Sequence, residues 1–246
     1  MKIDFGAACN DLFTTEKKWM TLLLIAVCTL IPIVGPMVSM GYLYRRYVGV
    51  RNGIPAADFD FSFFSEHLQT GLWPMISGLV ASLVAVPVML LAMLPMAIGP
   101  MIAPDNEAVL AIGMLVGMLL YIGAILFMMV VVMPIQLRSG LMMDFKSGFS
   151  KTFILDFCKK VGLSLLLWYT LLMIVVMPLA LLGYFALFVG VYAVSAWAQV
   201  ASMHLLFQHY DLYLERGGQP IPVNPALLVV LTRPTPPSAP PALPVS

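Results

Sequence analysis

The segment "HLLFQHYD" gathers the side chains best suited to chemistry in this chain: His204, His209 and Asp211. Imidazole and carboxylate are ordinary zinc ligands, and a zinc-binding helix needs its histidines four residues apart on one face. Here the spacing is five, which turns the rings to different faces, so the segment reads as a polar cluster closing the last apolar run and no metal is expected. Among the 19 methionines are pairs one turn apart, Met89 with Met93 and Met114 with Met118. Such pairs could form a thioether path for Cu(I). No Cys or His accompanies them, and methionine is also a flexible packing residue. Cys9, Cys28 and Cys158 are scattered without a CxxC pair, which predicts unpaired thiols. There is no serine nucleophile elbow, phosphate loop or paired-carboxylate motif, so neither a cofactor nor an enzyme activity is expected.

The elements that would have to position such groups are apolar almost throughout. Hydrophobic residues make up 61% of the chain and charged residues 10%, with a mean hydropathy of +0.96. Soluble domains are roughly half apolar and a quarter charged. The chain therefore reads as an all-α integral membrane protein whose first partner is the lipid bilayer. A net charge of +1 offers nothing to nucleic acid. The amino-terminal stretch carries Asp4, Asp11 and Glu16 and has no small-residue cleavage site after an apolar core, so it is expected to be retained. No polar stretch between the apolar runs is long enough to fold separately, which predicts one membrane domain over residues 1–215.

Apolar runs extend from Trp19 to Tyr47, Leu72 to Pro95, Ala108 to Pro134 and Val161 to Phe207. A span takes about 20 residues, so the second and third runs supply one each. The fourth would be about 70 Å long as a single helix and must fold back. Three stretches share a pattern of proline, a few apolar residues and glycine: Pro32, Gly35 and Pro36; Pro95 and Gly99; Pro178 and Gly183. Proline lacks the amide donor and glycine tolerates the left-handed residue that ends helices, so each stretch is expected to be a hairpin tip. The result is about six membrane helices in three hairpins. The first hairpin has arms of about 27 and 22 Å, short enough to be re-entrant; a single kinked span is the other reading of the same run. Basic residues separate the two. Lys2, Lys17 and Lys18 precede the first run, Arg45, Arg46 and Arg51 follow it, and Arg138, Lys146, Lys151, Lys159 and Lys160 lie between the later hairpins, while Asp105 and Glu107 sit at the second tip. Three outward tips place every base on the cytoplasmic side, whereas a kink strands three lysines outside. The hairpin is preferred, with both termini cytoplasmic in the cytoplasmic (inner) membrane.

Phe145, Phe149, Phe153 and Phe157 recur every four residues with lysines largely off the stripe, the pattern of a helix lying in the headgroup plane; buried core is the alternative. Phe61, Phe64 and Leu68 form a shorter version, giving two interfacial amphipathic helices. Gly113 with Gly117, and Gly78 with Ser82, let helices approach closely in lipid, either within the chain or as a homo-oligomer seam. From Arg216 onward prolines are dense, which predicts an extended, unpacked cytoplasmic tail over residues 216–246, with PxxP spacing that can dock in aromatic grooves.

"FTTEKKW", "IPIVGPMVSMGYLYRR" and "GIPAADFDFSFFSEHLQTGL" together resemble the bacterial and archaeal membrane family called domain of unknown function 4013. Trp19, Pro32, Gly35, Gly41, Tyr42, Arg45, Gly53, Pro55 and Gly71 carry the resemblance, which is most specific in the first third of the chain. Where that family usually has a tryptophan near Asp58 to Asp60, this chain has phenylalanines. The resemblance implies the architecture and no activity. The span cores lack ionisable residues, which argues against an ion-coupled transporter. What remains is an accessory or scaffold protein holding a membrane or cytoplasmic partner, or a permease or lipid-handling protein with broken helices around a cavity.

Overall fold

A computed structural model describes residues 2–102, 106–185 and 189–229. Among these residues the fold is entirely helical: α1 (Phe5–Asn10), α2 (Lys18–Leu30), α3 (Val34–Arg51), α4 (Phe64–Ile102), α5 (Glu107–Met142), α6 (Phe145–Gly148), α7 (Lys151–Phe185), α8 (Val189–Glu215) and α9 (Pro225–Val229), with 3₁₀ turns at Asp11–Thr14 and Phe61–Phe63. Four of them, α4, α5, α7 and α8, are long and apolar enough to cross a membrane. At 39, 36, 35 and 27 residues they measure about 58, 54, 52 and 40 Å. A hydrocarbon core is about 30 Å thick, so each overshoots it.

The surplus length forms a packed head. Its core comprises Tyr42, Leu43 and Tyr44 of α3, Leu137 and Leu141 of α5, Phe153, Phe157 and Leu165 of α7, and Leu205, Leu206, Phe207, Tyr210 and Tyr213 of α8. Away from the head the helices become apolar arms. In their most apolar windows only 11% of residues are buried in α4 and α5, 17% in α7 and 33% in α8. A leucine side chain left in water forgoes roughly 1.5–3 kcal/mol, and soluble proteins rarely expose large contiguous apolar surfaces. Lipid is the solvent that fits these arms.

The first proline and glycine stretch lies at the α2–α3 turn as expected, but the other two do not end their helices. Pro95 lies inside α4 and Pro178 inside α7, and both helices continue to Ile102 and Phe185. In hydrocarbon a broken helix would expose backbone groups with nothing to bond, so a span tolerates a proline. The segments beyond, residues 103–105 and 186–188 with Asp105 among them, lie outside the described residues. Gly99 and Gly183 are contact points instead: Gly99 faces Gly113 of α5, and Gly183 backs onto Gly190 of α8 so closely that a Cβ on either would strike the other backbone. Gly35 is likewise helical, and a Cβ there would collide with the Cys28 carbonyl; the left-handed residue of the α2–α3 turn is Ile33, at φ 67°. Pro32 and Pro36 flank it, Pro32 in the turn and Pro36 in the first turn of α3, where a missing amide donor costs nothing.

Six spans were expected and four helices have the length. α2 is apolar but only 13 residues long, about 20 Å. α3 carries Arg45 and Arg46 and is enclosed by protein along most of its length. It crosses α4 at Gly41 and Gly71, where a Cβ on Gly41 would meet the His67 carbonyl and one on Gly71 the Met37 carbonyl.

Two further expectations need correction. The phenylalanine stripe is not one interfacial helix: Phe145 belongs to α6, Phe149 caps it, and Phe153 and Phe157 are buried in α7. Both pack on Tyr213, at ring distances of 5.6 and 5.1 Å, so this half of the stripe faces the protein's own aromatic core, while Phe145 and Phe149, half-buried, pack on each other. The shorter stretch likewise runs straight into α4 as a 3₁₀ turn. The tail is also packed at its start. Ile221 and Leu227 are buried, the Asn224 amide donates to the Leu141 carbonyl at 2.8 Å, and the Ile221 amide donates to the Tyr210 hydroxyl at 2.7 Å. The packed domain therefore extends past Arg216, and residues 230–246 lie outside the described residues.

The Gly41–Gly71 crossing makes a direct prediction. Gly71→Ala should cost about 3 kcal/mol of unfolding free energy in detergent, because a methyl group cannot enter a backbone-to-backbone contact. Gly123→Ala, on a helical site with nothing within 4 Å, should be neutral or gain up to about 1 kcal/mol from helix propensity. Equal effects at the two sites would show that the crossing is not tight.

Candidate functional site

The densest polar cluster lies where the amino-terminal turn, α3 and α8 converge. The Arg46 side chain has 0% exposure and that of Asp11 12%. Arg46 Nη2 donates to the Asp11 carbonyl at 2.9 Å and to Asp11 Oδ1 at 3.1 Å; Nη1 lies 3.5 Å from the Tyr42 hydroxyl. The Tyr47 hydroxyl donates to Asp11 Oδ2, and His204 Nδ1 stands 3.4 Å from Asp11 Oδ1. Tyr47 also stacks on Phe207 at 5.0 Å and meets the His204 ring edge-on at 5.5 Å. Burial pushes the Asp11 carboxyl upward, but contact with His204, the Arg46 guanidinium and the Tyr47 hydroxyl outweighs it and holds the group below its ordinary value of 3.8. A carboxylate occupied by a guanidinium, a phenol and an imidazole has little capacity left for acid–base chemistry. It locks three segments together.

His204, His209 and Asp211, read from the sequence as a polar cluster closing the last apolar run, turn to different partners. His204 turns to Asp11. His209 places Nδ1 2.7 Å from the Leu205 carbonyl and Nε2 3.3 Å from Ser164 Oγ. Asp211 pairs with Arg51 at 2.6 Å, and the Arg51 guanidinium lies 4.6 Å over the Tyr210 ring. Met93, Met114 and Met118 are exposed on the apolar arms. Among the small residues, Gly78 lies against the Gln136 side chain of α5, while Gly113 and Gly117 meet Pro95, Gly99 and Met96 of α4. Ser82 Oγ donates to the Gly78 carbonyl of its own helix at 2.8 Å. The α4–α5 seam is completed by Ser77 and Ser139, buried and 2.6 Å apart.

Sequence reasoning missed the Asp11–Arg46 lock. Its signal is "YLYRRY", two arginines flanked by three tyrosines in a helix otherwise built for the interior. Buried guanidinium groups need such partners, and the phenols foretell the enclosure. A second feature, an apolar groove of about 460 Å³ between α2 and α8, is lined by Trp19, Leu23, Val27 and Tyr192 among others.

A family model described as "Protein of unknown function (DUF4013)" matches residues 24–203. Comparison with curated proteins and with solved structures returns no match.

The lock has a pH signature. Because the folded-state pKa of Asp11 lies below 3.8, its contribution is complete above the unfolded value and is lost as pH falls through the folded one. Asp11→Asn should cost about 3 kcal/mol near neutral pH, and the gap from wild type should narrow below about pH 4. Arg46→Met should cost a similar amount, and the double variant less than the two single costs combined. Unfolding in detergent across pH tests this; fully additive costs would show that the residues do not act as a pair.

Proposed function

The chain belongs to the DUF4013 family of proteins of unknown function, and from that premise we propose that it is an accessory or scaffold protein of the cytoplasmic (inner) membrane. The observation that carries this reading is the use made of polarity. The head uses its charges to hold itself together, as in the buried Asp11–Arg46 pair and the half-exposed Arg51–Asp211 pair, yet leaves Phe61 and Phe64 stacked and exposed at its edge. Such a ledge suits a docked protein better than a permeant solute. A lipid-handling role is the second reading, favoured by the groove between α2 and α8.

The proposed topology is six membrane helices in three hairpins, with α2–α3 shallow and re-entrant and α4–α5 and α7–α8 spanning. α3 runs antiparallel to α4 through the Gly41–Gly71 crossing. It runs parallel to α8, with Ser39 beside Gln199, Tyr47 beside His204 and Arg51 beside Asp211. The α2–α3 turn therefore lies at the same end as the last residues of α4 and the first residues of α8, and the basic residues gather at the opposite end. Cytoplasmic termini follow from that asymmetry.

Photo-crosslinkers at Phe61 or Phe64 in native membranes should capture one protein in fixed ratio, and a crosslinker at Leu91 on the exposed arm only lipid. Co-purified lipid or solute with no captured protein would favour the second reading. For topology, a membrane-impermeant thiol reagent applied to a Cys28→Ala, Cys158→Ala variant should label Cys9 only after the membrane is opened. Labelling of intact cells would place the amino terminus outside.

A further inference from the structure

A cavity of about 540 Å³ opens on the head, away from the Asp11–Arg46 lock, between the carboxy-terminal half of α5, the start of α7 and the extended segment after α8. Arg138, Ser150, Thr152, Lys160 and Tyr213 line it, together with Asp156. From these groups we infer that the cavity is a binding site for a phosphate-bearing ligand.

The argument begins with charge. Asp156 Oδ2 accepts from Lys160 Nζ at 2.9 Å and from the Tyr213 hydroxyl at 2.8 Å. That carboxylate is already engaged. Arg138 has no such partner: none of the ion pairs among the described residues involves it, and its Nε is buried with no hydrogen bond. Its guanidinium lies instead over the Phe153 ring, 5.0 Å from the centroid. The lining thus carries one positive charge more than it neutralises, on a side chain whose planar fork suits an oxyanion.

The other donors are arranged for the same kind of guest. α7 begins at Lys151, and its first intrahelical bond at this end runs from the Ile154 amide to the Ser150 carbonyl at 3.0 Å. The Ser150 amide is taken by the Ser147 carbonyl, so the donors at this end are the amides of Lys151, Thr152 and Phe153, which precede the helix ladder at the positive end of a 35-residue helix. Ser150 and Thr152 add hydroxyls 3.1 Å apart at the same rim. A guanidinium, two hydroxyls and a helix amino terminus in one cavity bind a tetrahedral oxyanion more fully than a lone halide. The volume leaves room for whatever the phosphate is attached to. Leu155 and Leu163, exposed on the same helix, mark the start of its lipid-facing surface, so a lipid headgroup and a free phosphate compound are both within reach.

The test uses the full-length protein. In uncharged detergent, inorganic phosphate titrated against sodium chloride of equal ionic strength should raise the melting temperature if the ligand is a free phosphate compound. If the source is a headgroup, phosphate should have no effect, while bilayer discs containing phosphatidylglycerol should stabilise the protein over discs of phosphatidylcholine alone. In either case Arg138→Gln should weaken binding at least about tenfold, the loss expected for one charge-assisted contact. Ser150→Asp should do the same with the fold intact, because aspartate is a good residue at the start of a helix while its charge repels the ligand; it decides the matter if Arg138→Gln does not fold. Indifference of the wild type to both probes, or an unchanged response in Ser150→Asp, would overturn the assignment.

Discussion

Arg46 imposes the constraint around which the head is assembled. A guanidinium with no exposed side-chain surface carries a desolvation cost of several kcal/mol unless a counter-charge and hydrogen-bond acceptors surround it. Its counter-charge comes from Asp11, which precedes the apolar runs and would look dispensable on the sequence. To deliver that carboxylate, the amino-terminal segment is tied along α8 and α7. The Asp4 amide donates to Gln208 Oε1 at 2.8 Å, Trp197 Nε1 donates to the Cys9 carbonyl at 2.8 Å, and Phe5 stacks on Trp168 at 5.8 Å. Meeting one buried charge thus goes with a fixed course for the segment from Asp4 to Asp11.

The same helix sets the rest of the frame. α3 presents Gly41 to α4, Tyr44 to α5 and Tyr47 to α8, and each contact uses a different physical device. Gly41 removes a side chain so that backbones can touch. Tyr44 sends its hydroxyl to the Gln136 carbonyl at 2.8 Å while its ring fills the space against Gly140. Tyr47 combines stacking with a charged hydrogen bond. Because these contacts involve three different long helices, the head can be rigid while the arms beyond it are held mainly by their own hairpin partners and by lipid.

This division explains what could be read from the sequence. Composition and run length gave the arms, since a 39-residue apolar helix such as α4 leaves little choice of solvent. The proline–glycine stretches gave the chain reversals to within a few residues but for an incomplete reason. Local propensity assigns Pro178 and Gly183 to a helix end, whereas the bilayer penalises the exposed backbone of an early stop and carries α7 on to Phe185. The phenylalanine stripe misled because periodicity reports that a face is apolar and not what covers it: Phe153 and Phe157 meet Tyr213, more than fifty residues away in the chain. The choice of Asp11 as partner was illegible for the same reason, since "YLYRRY" announces an enclosed guanidinium but not a carboxylate 35 residues away.

The disposition of small residues limits how this protein can recognise another. In lipid, helices gain no hydrophobic drive from association and rely on close backbone approach and hydrogen bonds. Most of the sites for such approach among the described residues are consumed within the chain, Gly113 and Gly117 against α4, Gly183 against Gly190, and Ser77 against Ser139, while Gly123 stays open. The outer surface of the arms keeps bulky side chains such as Leu83, Leu91, Ile112, Phe127 and Ile174, which lipid chains solvate as well as another helix would. On the proposed scaffold role, specificity for a protein would come chiefly from the head, where aromatic and charged groups are exposed, and the arms would serve to anchor it.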